Sequence, residues 1–401
     1  MLAITDPGHF PSSVRYCFAA ETEISRHLAR ILALLSPKSE CLGFTPPEAG
    51  DSDSLLVICD GDWMATRDKW ISGGGDSDRL VILLPAVGDP WDWWEFSKAA
   101  LDKLQFDGEV KMSLDDFVDV LVNRLERATF DENGALRLNH FSYLTFLRDR
   151  YDSHLARIKE VEDRLSDDQS KRVYRTLFSE PQSIWNHYLS RVFSSSQYFD
   201  HIDYSKCHTV LNGGIWLGFE LPQLFSVLPD DAVVHNIDPF GHDHLSAHAR
   251  PTVEAVAERC VLHRVALSDR TGSTTLKVMA DGQANTANAE SEGVTGPNVE
   301  FPCITVDQLV QDNRLSGVDL IKFDLEGGEI EAVQGMAETI RRFRPQLAIS
   351  IYHFLNDYWD LASYLMDLCP DYNYHIGHYS YERFETVLYC IPKELADRQP
   401  A

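Results

Sequence analysis

The sequence predicts an α/β protein in two parts: a mostly parallel sheet in the second half of the chain and a smaller α/β unit before it. Three observations carry this. The 401 residues exceed what one hydrophobic core ordinarily serves. After about residue 200, short β-branched runs alternate with helical patterns, which implies crossovers between parallel strands. Before residue 130 two such runs occur, joined by a loop and flanked by helical patterns.

Taken in order, residues 14–36 carry apolar positions at helical spacing and predict a helix ending at Ser36-Pro37. Leu55–Cys59 and Leu80–Val87 read as buried strands on either side of the Ser72–Asp78 loop. That loop's three consecutive glycines do not join a strand directly to a helix, so it is not a phosphate loop. Helical patterns follow at Trp91–Leu104 and Ser113–Ala128. The aromatic cluster Trp91–Phe96 is expected to pack rather than to bind sugar. Residues 1–130 are thus read as an N-terminal α/β domain of unassigned role, and 131–200 as a helical connector with Ser166 as a cap.

Residues 201–401 form the third unit. Its expected strands are Thr209–Asn212, Ala232–Asp238, Cys260–Ser268, Ser273–Met279, Val318–Asp324 and Gln346–Tyr352, closed by a hairpin of Tyr372–Tyr379 with Thr386–Ile391. Helices are expected at 219–228 and Glu329–Phe343. Residues 281–299 lack large apolar side chains and are expected to form a surface loop.

Composition narrows the function classes. With 62 acidic against 36 basic residues, the formal charge of −26 repels nucleic acid and anionic membranes. The eight cysteines contain no CxxC pair, which argues against a zinc ribbon and suits a reducing cytoplasm. No apolar window approaches the length of a membrane span and no signal peptide is recognised, so a cytoplasmic location is expected.

In open parallel sheets ligands bind at the carboxyl ends of the strands. The first strand of the third unit ends in Asn212-Gly213-Gly214-Ile215-Trp216-Leu217-Gly218, and the second ends in Asp238. Glycines there admit close backbone approach, and an acid about 20 residues on can accept both hydroxyls of a ribose. Either feature alone is commonly only a turn; together they suggest a nucleoside site. The spacing is not GxGxxG, which argues against a nicotinamide or flavin enzyme.

The run Val318-Asp319-Leu320-Ile321-Lys322-Phe323-Asp324-Leu325-Glu326-Gly327-Gly328-Glu329 resembles the signature of FkbM-type methyltransferases. The resemblance continues through Val333-Gln334-Gly335, Arg344-Pro345, Tyr352-His353 and His378-Tyr379-Ser380. It extends back through Thr305-Val306-Asp307, Ala266-Leu267-Ser268-Asp269 and the glycine turn, with lead-in segments at 170–174 and 197–199. It implies a class I methyltransferase, Rossmann-like C-terminal domain, S-adenosylmethionine as donor, and O-methylation of a sugar, glycolipid or secondary metabolite. The partner it implies is a small-molecule or glycan acceptor; the sequence leaves the oligomeric state, a homodimer included, open.

Carried over residue by residue, the resemblance sets Asn212, Gly213, Gly214, Gly218 and Asp238 at the methionine and ribose part of the cofactor. Leu267 and Ser268 would lie near the adenine. Asp324, Glu326 and His353 would face methyl transfer. His353 is the expected general base, because an unperturbed imidazole titrates near neutrality. Glu329 is read as a first-turn dipole residue. Four histidines crowd one stretch (His235, His242, His244, His248), but without a cysteine or HExxH partner no metal site is assigned there. Mg²⁺ on Asp324 and Glu326 is the lesser expectation.

Where the family carries an acid this chain has Asn212, and Ile215 and Trp216 replace small or polar residues. Losing a charge-assisted bond costs on the order of 1.5–3 kcal/mol. The alternative to an active enzyme is therefore a degenerate methyltransferase fold that binds or scaffolds without turnover.

Overall fold

The computed structural model of the chain describes residues 2–4, 10–36, 38–44, 54–59, 63–83, 128–130, 136–138, 154–178, 197–278, 284–286, 296–379 and 385–396. The first part is a parallel five-stranded sheet. Its strands are β1 (Leu2–Ile4), β2 (Arg15–Phe18), β3 (Glu40–Cys41), β4 (Ser54–Ile58) and β5 (Leu80–Leu83), ordered β1-β5-β4-β2-β3. Strand β2 corrects the single helix expected over 14–36. The helix begins only at Glu23, after Thr22, whose hydroxyl accepts the Ser25 amide while Ser25 answers the Thr22 amide. That reciprocal cap ends the strand and starts the helix. The expected helices at Trp91–Leu104 and Ser113–Ala128 lie outside the described residues, except that Ala128 opens the strand β6 (Ala128–Phe130), paired with β7 (Leu136–Leu138).

The second sheet holds the functional interest. Strands β8 (Thr209–Gly213), β9 (Val233–Ile237) and β10 (Cys260–His263) are followed by a small side sheet of β11 (Ala266–Leu267), β12 (Gly272–Val278), β13 (Ala284–Thr286) and β14 (Asn298–Ile304). Then come β15 (Leu320–Phe323), β16 (Gln346–Ser350), β17 (Tyr372–His378) and β18 (Thr386–Pro392). The seven-stranded order is β10-β9-β8-β15-β16-β18-β17, with β18 antiparallel to both neighbours and every other pair parallel. This is the class I methyltransferase fold that the resemblance implied. The chain winds outward in both directions from β8 and β15, so the crevice between their carboxyl ends is the switch point where such sheets take ligands.

Three expectations about elements are corrected. The single strand over Cys260–Ser268 is two strands in different sheets, split where Arg264 leaves the edge to make a two-pronged ion pair with Asp243 at 2.7 and 2.8 Å. The helix over Glu329–Phe343 is two helices, Glu329–Gln334 and Ala337–Phe343, broken at Gly335, where a Cβ would lie 2.4 Å from the Ser268 carbonyl. The loop over 281–299 contributes β13 and the start of β14, paired through backbone with β12.

Alternation along the central strands divides the core. Ile321 and Phe323 point with Leu211 into one apolar layer, and Leu320 with Val210 into the other. Lys322 faces the second layer, opposite Asn212 in register. That layer is shared: Leu56, Ile58, Trp63, Leu80 and Ile82 of the first part pack in one cluster with Leu221, Leu224 and Phe225. The other face of the first sheet packs on the helix Glu23–Leu35, so its strands are apolar on both faces.

Candidate functional site

The turn after β8 is built on backbone that only glycine adopts cheaply. Gly214 has φ +74°, and a Cβ there would fall 1.7 Å from the Asp324 carbonyl oxygen. The ends of β8 and β15 therefore touch through backbone. Gly218, φ +70°, lies against Leu245. Asp238, just past β9, braces the turn: one oxygen accepts the amides of Ile215 and Trp216 at 3.2 and 3.4 Å, the other the Phe240 amide at 2.8 Å. Burial pushes its carboxyl up, against the pull of those amides. Leu267 also reaches the turn, 3.1 Å from where a Gly213 Cβ would lie.

The side chains of two residues expected at the cofactor make their contacts within the protein. The Asn212 side chain is fully buried, donating to Glu220 at 3.1 Å and Asn236 at 2.9 Å, while its own oxygen has no partner. The Ser268 hydroxyl, also fully buried, faces Asp269 and Glu331 at 3.2 and 3.3 Å. Trp216, at φ 34°, is 38% exposed and meets the Phe219 ring edge-on.

Asp324, Glu326 and His353 converge at the ends of β15 and β16. His353 Nε2 lies 3.4 Å from Asp324 and 3.5 Å from Glu326, and its Nδ1 lies 3.0 Å from Glu329. The turn folds around Glu329, whose carboxylate accepts the amides of Leu325 at 2.6 Å and Gly327 at 3.1 Å; Glu326 takes φ 51°. Glu329, read as a first-turn dipole residue, does stand in the first turn of its helix and is buried there.

His353, the expected base, stands among three carboxylates. Burial opposes its protonation, yet Glu329, Glu326 and Asp324 outweigh it and hold the imidazolium well above the usual histidine range. Asp324 in turn stays below the usual carboxylate range despite burial, held by His353 and Lys322.

The sequence did not single out the shell around Asp324. Tyr198 donates to it at 2.5 Å and Tyr352 at 3.1 Å, and Tyr352 also reaches Glu385 at 3.2 Å. Burial and Asp324 push Glu385 up to about 8. Gln197 donates to Glu385 and, at 3.0 Å, to the Tyr198 hydroxyl. Lys322 donates to the Gly214 carbonyl at 2.8 Å, pairs with Glu220 at 3.7 Å and sits 4.7 Å from the Tyr198 ring. Tyr198 and Tyr352 lay inside matched segments and could have been chosen as donors. Nothing local marks Glu385 or Glu220.

The histidine-rich stretch is no cluster. His244 and His248 lie in turns rather than one helix turn apart, against Phe240 and Phe219 respectively. His235 stacks on His263, with ring nitrogens 2.9 Å apart. Among the described residues, Asp324, Glu329 and His353 alone bring three metal-type ligand atoms within 4.8 Å of one another. Also among the described residues, no helix is long and apolar enough to cross a membrane.

Methyltransferase FkbM from Methylobacillus flagellatus KT aligns at 16% identity over 94% of this chain and 90% of its own, with a TM-score of 0.45. Fibrillarin of Aeropyrum pernix, solved with natively bound S-adenosyl-L-methionine, aligns at 11% over 49% of this chain and 71% of its own, with a TM-score of 0.28. The O-methyltransferase TomG of Streptomyces achromogenes, solved with SAM, aligns at 10% over 57% and 90%, with a TM-score of 0.29. No curated protein matches the chain. Residues 211–376, from the middle of β8 to late in β17, match the methyltransferase FkbM domain, so this segment is similar to the FkbM-type family.

Proposed function

We propose that this chain is an S-adenosylmethionine-dependent methyltransferase acting on a hydroxyl of a sugar, glycolipid or secondary metabolite. The observation that carries the reading is the crevice between β8 and β15, where the glycine turn, Asp238 and the Asp324–Glu326–His353 group meet at the switch point of the sheet. The cofactor supplies a methyl group on a sulfonium; the remaining tasks fall to the chain. Asp238 is suited to the ribose hydroxyls, and releases the Ile215 and Trp216 amides if it turns toward them. Glu220 brings a carboxylate beside the neutral Asn212 and so answers the missing family acid. The Gly213-Gly214 turn carries no side chain at the end of β8, which suits a ligand laid against its backbone.

Transfer to a hydroxyl needs an acceptor for its proton. Asp324 and Glu326 are the groups suited to take it. His353, kept as an imidazolium, orients them and offsets their charge. The acceptor class rests on the family resemblance. A carboxylate-rich strand end is consistent with binding of polyhydroxylated molecules.

Calorimetric titration of the full chain with S-adenosylmethionine and with S-adenosylhomocysteine tests the cofactor assignment. Micromolar binding of both is expected, lost in Asp238→Ala. Unchanged affinity in that variant overturns the ribose role. Failure of the unaltered chain to bind either ligand favours the non-catalytic scaffold.

A further inference from the structure

We propose that Asp324, Glu329 and His353 bind a divalent first-row transition-metal cation at the carboxyl ends of β15 and β16. The strongest sign is a contact that is close but is not a hydrogen bond. His353 Nδ1 lies 3.0 Å from Glu329 Oε1, yet this buried nitrogen has no hydrogen-bond partner, and the ring is only 10% exposed. Two ligands about 2.1 Å from one ion at near-right angles lie about 3 Å apart, the separation seen here. Asp324 completes a set whose ligand atoms lie within 4.8 Å of one another, so a small inward movement brings them to the roughly 4.2 Å that opposite ligands span across one ion.

Charge points the same way. Three carboxylates, Asp324, Glu326 and Glu329, reach a single imidazole at 3.0–3.5 Å. Lys322 steadies Asp324 from a distance but makes its ion pair with Glu220, at 3.7 Å. An imidazolium offsets one of those three charges, whereas a divalent ion bound to a neutral imidazole offsets two.

The surroundings hold the donors in place, as metal sites require. Glu329 is fixed by the Leu325 and Gly327 amides, and Asp324 by the Tyr198 and Tyr352 hydroxyls. With Nδ1 on the ion, the opposite ring N–H faces Asp324 at 3.4 Å and Glu326 at 3.5 Å, and Glu326 is the outer carboxylate that fixes the ligating imidazole. One nitrogen with carboxylate oxygens suits Mn²⁺, Fe²⁺, Co²⁺ or Zn²⁺ more than Ca²⁺. The ion's binding does not depend on the proposed function: it takes the place of the ring proton that otherwise makes His353 an imidazolium, and leaves Glu326 to accept the hydroxyl's proton. Its task, polarising an acceptor hydroxyl, rests on that reading.

Mn²⁺ is the probe of choice, because the eight free thiols would compete for softer ions. The chelator-treated full chain is titrated with Mn²⁺ while the free-ion paramagnetic resonance signal is followed. One bound equivalent is expected, with affinity lowered roughly tenfold or more in Asp324→Asn and in His353→Gln. Spin-echo modulation from a directly bound imidazole nitrogen is expected in the unaltered protein, a readout independent of how the variants fold. Absence of bound Mn²⁺ up to millimolar concentration, or binding without nitrogen modulation, overturns the site and leaves His353 a simple imidazolium. S-adenosylhomocysteine binding is measured on the same samples. Metal without that ligand keeps this proposal and removes the methyltransferase reading; the ligand without metal does the reverse.

Discussion

Gly214 has no room for a side chain, since the added atom would lie 1.7 Å from a backbone oxygen that cannot move without shifting β15. Gly214→Ala is expected to cost at least about 3 kcal/mol, from strain at positive φ plus overpacking. Chemical denaturation against the unaltered chain checks this. Such glycines were legible because a strand followed by two glycines leaves few other readings. His235 was weighed only as a metal ligand, and its effect is on stability. Burial depresses its pKa to about 4, so the fold carries it neutral while the unfolded chain protonates it near the usual histidine value. Its contribution is complete above that unfolded value and is lost as pH falls from there toward 4. Melting temperature should therefore decline with acid in this window, and His235→Gln should flatten the decline. An unchanged slope would remove His235 as the cause. Glu385 was illegible for a different reason: it joins the Asp324 group through the Tyr352 hydroxyl from a position 61 residues later, a proximity only the closed sheet creates.

Single elements show where local pattern fails and why. The helix Asp168–Phe178 was expected to be capped by Ser166, but Asp167 takes that role, accepting the Ser170 amide at 2.7 Å and hydroxyl at 2.6 Å. Ser166 is engaged by the Tyr374 amide at 2.8 Å, and Ser170 by the Ile376 amide at 3.0 Å. His375 completes the seam, 2.6 Å from Asp167. The helix start thus satisfies the free amides of β17, an edge strand that would otherwise offer them to other chains. Asp167→Ala should cost about 1–2 kcal/mol by loss of the cap. Thermal unfolding measures this, and a neutral result would show that the seam bears no load. The sequence held two adjacent capping residues, and only the neighbouring strand decides between them. The break between β10 and β11 was equally hidden, because a run of apolar residues does not say which sheet each half joins.

At the scale of the whole molecule, the two sheets share one apolar layer, although the sequence reading treated the N-terminal part as a separate unit of unassigned role. Trp63 is the link. Its ring is 2% exposed within the shared layer, and its indole N–H donates to the Pro222 carbonyl at 3.0 Å. Trp63→Ala should destabilise the chain by about 3–5 kcal/mol and uncouple the two sheets. Calorimetry is expected to show one transition for the unaltered chain and two for the variant. A single, merely lowered transition would mean that the remaining contacts suffice for cooperativity. Pro222 belongs to the helix Glu220–Val227, which begins two residues beyond the glycine turn and carries Glu220 beside Asn212. A contact made 159 residues earlier in the chain therefore holds the wall of the crevice. By thermodynamic reciprocity, a ligand that tightens the crevice must strengthen N-terminal docking by the same free energy. Filling the crevice should accordingly slow amide hydrogen exchange in β4 and β5, strands that contribute no residue to it.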